Sequence, residues 1–341
     1  MINKLMLFYM GIITTINTII VLPLILLGIF LNKMNKYYNI PYFEHTHKNH
    51  TIIVYIFLSG ISGILKYFYG TEIFVENIKL LDELIDSNRS SGNIVVQNHQ
   101  TEFDYLFGYA LLIKNMKLNY HNLKMIMGYH VYVMLAGIGL ISILSNSILI
   151  RYNRNKDEHD IKLCEIKKND IVYLFPEGCV YNKNNKEKSD KYCDKNNIEK
   201  TKNCLYPKTG ALEILNINNN INHIYSFCTQ YDSILPCDKN HTLFNTKMPK
   251  QVYIKIEKHT VDNTIQETTI DVFRKMDKYM DKNINIDNYV KIDKTYSELF
   301  YLFIFLFIFA VGCYSLVQYN FVRYYFISVL AIYYIYLYMV I

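Results

Sequence analysis

An uncharged apolar stretch runs from Leu5 to Leu31, and a second apolar run, rich in Tyr, Ile, Leu and Phe, extends from Leu299 to Ile341. No other feature restricts the possible folds so strongly. The first stretch exceeds the ~20 residues that carry a helix across a bilayer. It is also longer than the ~7–15-residue core of a secretory signal, and no small-x-small cleavage site follows it, so it reads as a retained anchor. The second run is broken only by Gln318-Tyr319-Asn320 and Arg323. One helix of that length would far exceed the bilayer thickness, which predicts two, at 299–317 and 322–341, joined by a tight turn. Lys33, Lys36 and Lys48 follow the anchor and only Lys4 precedes it. That excess places the middle of the chain in the cytosol.

Three parts follow from this pattern: an anchor and connector over 1–50, a domain over 51–290, and C-terminal transmembrane helices over 291–341. Within the domain, short β-rich runs predict strands at Asn93–Gln97, Ser147–Arg151, Ile171–Phe175, Ile224–Tyr231 and Val252–Glu257. A helical period over Phe103–Ile113 lies between the first two, and residues 262–290 follow the last as an amphipathic helix and a linker leading into the membrane. The alternation predicts an α/β fold, a largely parallel sheet flanked by helices. Residues 51–69 read as a helix lying on the membrane or packed on the domain. The polar stretch 182–203 reads as a surface loop with a short helix.

The net charge of +6 is spread through the loops. It suits anionic lipid head groups, and the absence of a compact basic stripe excludes nucleic acid as a partner. Seven scattered cysteines without a CxxC pair fit reduced cytosolic thiols. His45, His47 and His50 beside Glu44 lack a second ligand set and read as a solvated connector, so no metal site is expected. Gly137 and Gly139 lack the third glycine of a dinucleotide loop.

Chemistry concentrates at the predicted strand ends. His99 leaves the first strand in Asn98-His99-Gln100-Thr101-Glu102-Phe103-Asp104. With Thr101 capping the next helix, Asp104 returns toward the imidazole. It can then hold one ring nitrogen while the other takes a proton; alternatively Asp104 only caps and His99 is a turn residue. Arg151 ends a second strand, where a guanidinium can grip phosphate through paired hydrogen bonds or stay an ordinary surface group. Glu177 and Gly178 follow the strand ending at Phe175. Gly178 permits a tight turn and close ligand approach, while Glu177 can meet a substrate hydroxyl or fix the loop. Lys208, in Tyr206-Pro207-Lys208-Thr209-Gly210, is either a phosphate contact or part of a loop before a helix.

Taken in order, these motifs resemble the glycerolipid acyltransferases with an NHx4D box, most of all the eukaryotic 1-acylglycerol-3-phosphate and lysocardiolipin branch. The box is Asn98 to Asp104; Ile148-Leu149-Ile150-Arg151, with Gly137 before it, is similar to the second motif, and Phe175-Pro176-Glu177-Gly178 to the third. Leu205 to Gly210, His223 to Tyr231 and the apolar pair beyond resemble the later segments. The resemblance implies transfer of an acyl group from acyl-CoA, a co-substrate with no further cofactor, to a lysophospholipid hydroxyl. The first-choice acceptor is 1-acylglycerol-3-phosphate, giving phosphatidic acid. Lysocardiolipin, lysophosphatidylglycerol and lysophosphatidylinositol are alternatives, as is an inactive lipid-binding relative. The implied roles are His99 as general base, Asp104 as its partner, and Asn98, Arg151, Glu177, Gly178 and Lys208 as substrate contacts. The family default is the endoplasmic reticulum membrane. Two departures stand out: Cys179-Val180 replaces the family's Thr-Arg after Glu-Gly, and Lys208 replaces an arginine.

Overall fold

The computed structural model describes residues 15, 16, 19, 59, 60, 62–85, 92–101, 104–116, 123–129, 147–151, 153–162, 164, 166, 170–232, 249–281 and 284–340. The expected N-terminal anchor, except for three of its residues, the histidine-bearing connector and Gly137 lie outside this set.

Among the described residues, eight strands form one sheet: β1 Glu72–Glu76, β2 Asn93–Gln97, β3 Leu123–Gly128, β4 Ile148–Ile150, β5 Ile171–Leu174, β6 His223–Tyr231, β7 Gln251–Thr260 and β8 Val290–Lys291. Their order is β4-β3-β5-β2-β6-β7-β1-β8. Neighbours run parallel except β6 with β7 and β1 with β8. The helices are α1 Ile78–Ile85, α2 Asp104–Met116, α3 Arg154–Lys162, α4 Lys183–Lys195, α5 Gly210–Asn219, α6 Ile265–Met280, α7 Tyr296–Gln318 and α8 Asn320–Val340. A π-helical turn, Ile64–Phe68, precedes β1.

Burial on both faces explains why the central strands are continuous apolar runs rather than alternating ones. Val95 of β2 and Tyr173 of β5 face a core with Leu106, Phe107 and Leu111 of α2 and Leu81 and Leu84 of α1. Their neighbours Ile94, Val96 and Val172 face the other side, against Leu212 and Leu215 of α5 and Val272, Phe273 and Met276 of α6. Gly108 lets α2 approach the sheet closely, since a Cβ there would lie 2.0 Å from the Tyr173 hydroxyl.

The five strands anticipated from sequence are present, with bounds shifted by up to three residues. β1, β3 and β8 were not anticipated. β1, Glu-Ile-Phe-Val-Glu, carries buried residues at alternate positions only. β3 is rich in methionine and includes Lys124. In the polar stretch 182–203 the expected helix is α4, 13 residues long, capped by Asn182, which accepts from the Asn185 N–H.

Chain direction aligns the sheet's functional edge with the apolar helices. The carboxyl ends of β2 to β6 share one rim. Tyr231, at the end of β6, pairs with Val252 near the start of β7, and Gln251 pairs with Glu72 at the start of β1. β8 runs back along β1 to that rim, where the Ile292 N–H donates to Ile73 O at 2.8 Å. Helix α7 therefore departs from the rim that carries His99. Its segment Glu298–Gln318 is long and apolar enough to cross a membrane, and Asn320–Ile332 is a shorter apolar helix. The break between them falls at Tyr319, with the Arg323 guanidinium on the Leu316 and Val317 carbonyls.

Candidate active site

β2 lies between β5 and β6, parallel to both, so the loop leaving it is flanked by the loops after β5 and β6. His99 Nδ1 lies 3.0 Å from Asp104 Oδ2. The same oxygen accepts the Thr101 N–H at 2.9 Å, and Asp104 N–H donates to Thr101 O at 3.3 Å. The carboxylate that starts α2 thus also orients the imidazole, and five residues of spacing are what this return requires. Asp104 is fully buried whereas the His99 side chain is 17% exposed. Nε2 makes no hydrogen bond among the described residues. Phe175 stacks on the imidazole, with centroids 4.3 Å apart and planes 26° apart. Tyr231 donates its hydroxyl to Asp104 Oδ1.

Glu177 braces this loop from beneath. Its Oε1 accepts the His99 N–H at 2.8 Å and its Oε2 the Leu205 N–H at 2.9 Å. Burial pushes its carboxyl well above the ordinary range, and the two N–H donors oppose that shift. Of the two roles open from sequence, the observed contacts are those of a loop brace. Further bonds tie the same loops: Tyr181 N–H to His99 O at 2.7 Å and Gln100 Nε2 to Asn203 O at 2.8 Å. Glu177→Gln should destabilise the protein by about 2–3 kcal/mol, because its amide NH2 would face one of the two buried N–H donors. Chemical unfolding checks this; a change within about 0.5 kcal/mol would refute the bracing role.

Asn98 is fully buried and copies a backbone pairing with β6: Nδ2 donates to Thr229 O at 2.9 Å and Oδ1 accepts the Thr229 N–H at 2.7 Å. It fixes the strand end on which His99 sits. Gly178 closes the turn through its N–H to Phe175 O at 2.9 Å and has φ +71°, where a side chain is strained. Lys208 is exposed and lies over that turn, with Nζ 3.2 Å from where a Gly178 Cβ would stand. Lys208 N–H also donates to Pro176 O at 2.7 Å.

Arg151 stands apart. Val95 pairs with Tyr173, Tyr173 with Met125, and Met127 with Leu149, so Arg151 is level with His99 but three strand spacings away. That separation is about 14 Å. Its Nη1 contacts Asp160 of α3 at 2.5 Å, while its Nε is buried without a partner among the described residues. Among the described residues, no three His, Cys, Asp or Glu side chains are grouped to hold a metal.

Residues 73–225, which carry the His99 loop, Arg151, the Glu177 turn and Lys208, match the Acyltransferase family model. Over that stretch, a little under half of its length, the chain is similar to the acyltransferases. It is 23% identical over 219 residues to lysocardiolipin acyltransferase 1 of Gallus gallus, covering 62% of this chain and 55% of that protein. The Mus musculus protein of the same name is 21% identical over 210 residues, covering 59% and 53%. The chain thus spans about half the length of the curated relatives it matches. The crystal structure of the 1-acyl-sn-glycerophosphate acyltransferase PlsC of Thermotoga maritima aligns with TM-score 0.45 and 13% identity, covering 82% of this chain and 99% of that one.

Proposed function

We propose that this protein transfers an acyl group from acyl-CoA to a lysophospholipid hydroxyl, with lysophosphatidic acid as first acceptor and His99 as general base. The observation that carries this reading is the imidazole held at Nδ1 by the buried Asp104 carboxylate while the His99 side chain stays partly exposed. Nε2 takes the acceptor's hydroxyl proton as that oxygen attacks the thioester carbonyl. Collapse of the tetrahedral intermediate breaks the C–S bond, and the imidazolium returns the proton to the departing CoA thiolate. The thioester is already activated, so no covalent enzyme intermediate is required. Lys208, exposed over the Gly178 turn, supplies a cation for an acceptor or CoA phosphate. The rim shared by His99 and the start of α7 favours an acceptor drawn from the bilayer, with 51–290 catalytic and the flanking segments membrane-bound. The lysine excess after residue 31 favours a cytosolic domain, and the endoplasmic reticulum is the membrane that the family resemblance implies.

A larger acceptor is the second reading. The curated relatives are named for lysocardiolipin, Cys179-Val180 lacks the arginine beside the turn, and Arg151 sits about 14 Å from His99. Membranes containing the protein, given labelled oleoyl-CoA and a panel of lysophospholipids, separate the two. Label in phosphatidic acid supports the first; label only in cardiolipin, phosphatidylglycerol or phosphatidylinositol supports the second. No product from folded protein would contradict both and favour lipid binding without catalysis.

A further inference from the structure

We infer that Tyr231 is a positioning residue for the His99–Asp104 pair, completing the hydrogen-bond shell of the carboxylate from the neighbouring strand. This rests on His99 acting as base. Tyr231 lies six residues beyond the matched family stretch, at the end of β6. The parallel pairing of β6 with β2 brings it beside the His99 loop. Its hydroxyl occupies Asp104 Oδ1, while Thr101 N–H and His99 Nδ1 occupy Oδ2. Donors on both oxygens fix the carboxylate plane, and with it the edge presented to Nδ1. Burial, then the Asp104 charge, pushes the Tyr231 hydroxyl well above its ordinary range, so it stays protonated and donates at neutral pH.

The ring has a separate structural duty, packing on Phe107 of α2 at 5.7 Å. Tyr231→Phe keeps that packing and removes the hydroxyl, which donates to Asp104 and also meets the Thr101 side chain. Among the described residues, the titratable groups meeting His99 are Asp104 from α2, Tyr231 through Asp104, and Glu177 from the loop after β5, with the uncharged Phe175 ring on the imidazole face. Removing the hydroxyl leaves the Asp104 charge less dispersed, and it then holds the imidazolium more tightly. The base stays protonated to higher pH.

The experiment compares wild type, Tyr231→Phe and His99→Ala in transfer from oleoyl-CoA to lysophosphatidic acid across a pH series, with thermal unfolding alongside. Tyr231→Phe should lower kcat by at least about tenfold, the effect of losing one donor to a charged group. KM for oleoyl-CoA should hold, and the acid limb of kcat/KM should move to higher pH. An inactive His99→Ala with wild-type kcat and profile in Tyr231→Phe would overturn the inference and leave the base intact. A lower kcat with an unmoved profile would give Tyr231 a purely structural role and also overturn it. Activity surviving in His99→Ala would remove the base reading and this inference together.

Discussion

Asp104→Asn should lower kcat for acyl transfer by about 10²–10⁴-fold while leaving the protein folded. The side chain is nearly isosteric, so the cost is electrical and tautomeric. Asp104 accepts from the Thr101 N–H, His99 Nδ1 and the Tyr231 hydroxyl. If the new NH2 replaces Oδ2, it confronts the Thr101 N–H and turns His99 to the tautomer with its proton on Nε2, which cannot accept one. If it replaces Oδ1, the Tyr231 hydroxyl must reverse and the imidazolium still loses its counter-charge. Either outcome falls within the range expected for impaired general base catalysis. Initial rates with oleoyl-CoA over the acceptor panel measure it. A variant within about threefold of wild type would refute the dyad, since that factor is well under 1 kcal/mol of barrier.

The largest stability effect is expected far from the reaction, where the domain meets α7. Lys66 Nζ contacts Glu298 Oε1 at 2.5 Å, with the two side chains 2% and 7% exposed. Ser62 Oγ reaches the same oxygen at 3.4 Å. Glu298 also completes the capping box of α7: Oε2 accepts the Thr295 N–H at 3.0 Å, and Thr295 Oγ1 accepts the Glu298 N–H at 3.2 Å. One carboxylate thus starts the apolar helix and neutralises a lysine on the segment leading to β1. Lys66→Met should cost about 3–5 kcal/mol, because it strands a buried charge. Lys66→Met with Glu298→Gln should cost less than the two single changes summed, since they share one interaction. Thermal unfolding in detergent provides the comparison, and strict additivity would show that the pair is not coupled.

The sheet's middle was legible because β2, β5 and β6 are buried on both faces and therefore read as β-branched and aromatic runs. β1 escaped because its glutamates dilute the apolar signal, and β3 because methionine and lysine carry little β preference. At the site, His99 and Asp104 were legible because they belong to one turn and their geometry depends on local spacing. Phe175 and Tyr231 were not. They reach the imidazole and the carboxylate only because β5 and β6 flank β2, a fact of strand order that no local pattern states. Glu177 was visible as a chemical group, but its contacts with the His99 and Leu205 N–H groups required knowing which loops meet. Arg151 illustrates the converse: a shared rim was inferred correctly, yet three strand spacings separate it from His99.

The most direct measurement is the rate of labelled acyl transfer from oleoyl-CoA to lysophospholipid by wild type and His99→Ala, purified in the same detergent and shown to unfold at similar temperatures. The bond to Glu177 comes from the main-chain N–H of residue 99, which alanine keeps, so the loop should hold. Product from wild type, reduced by about 10²–10⁴-fold or more in the variant, is the predicted result. Equal rates from the two proteins would contradict it.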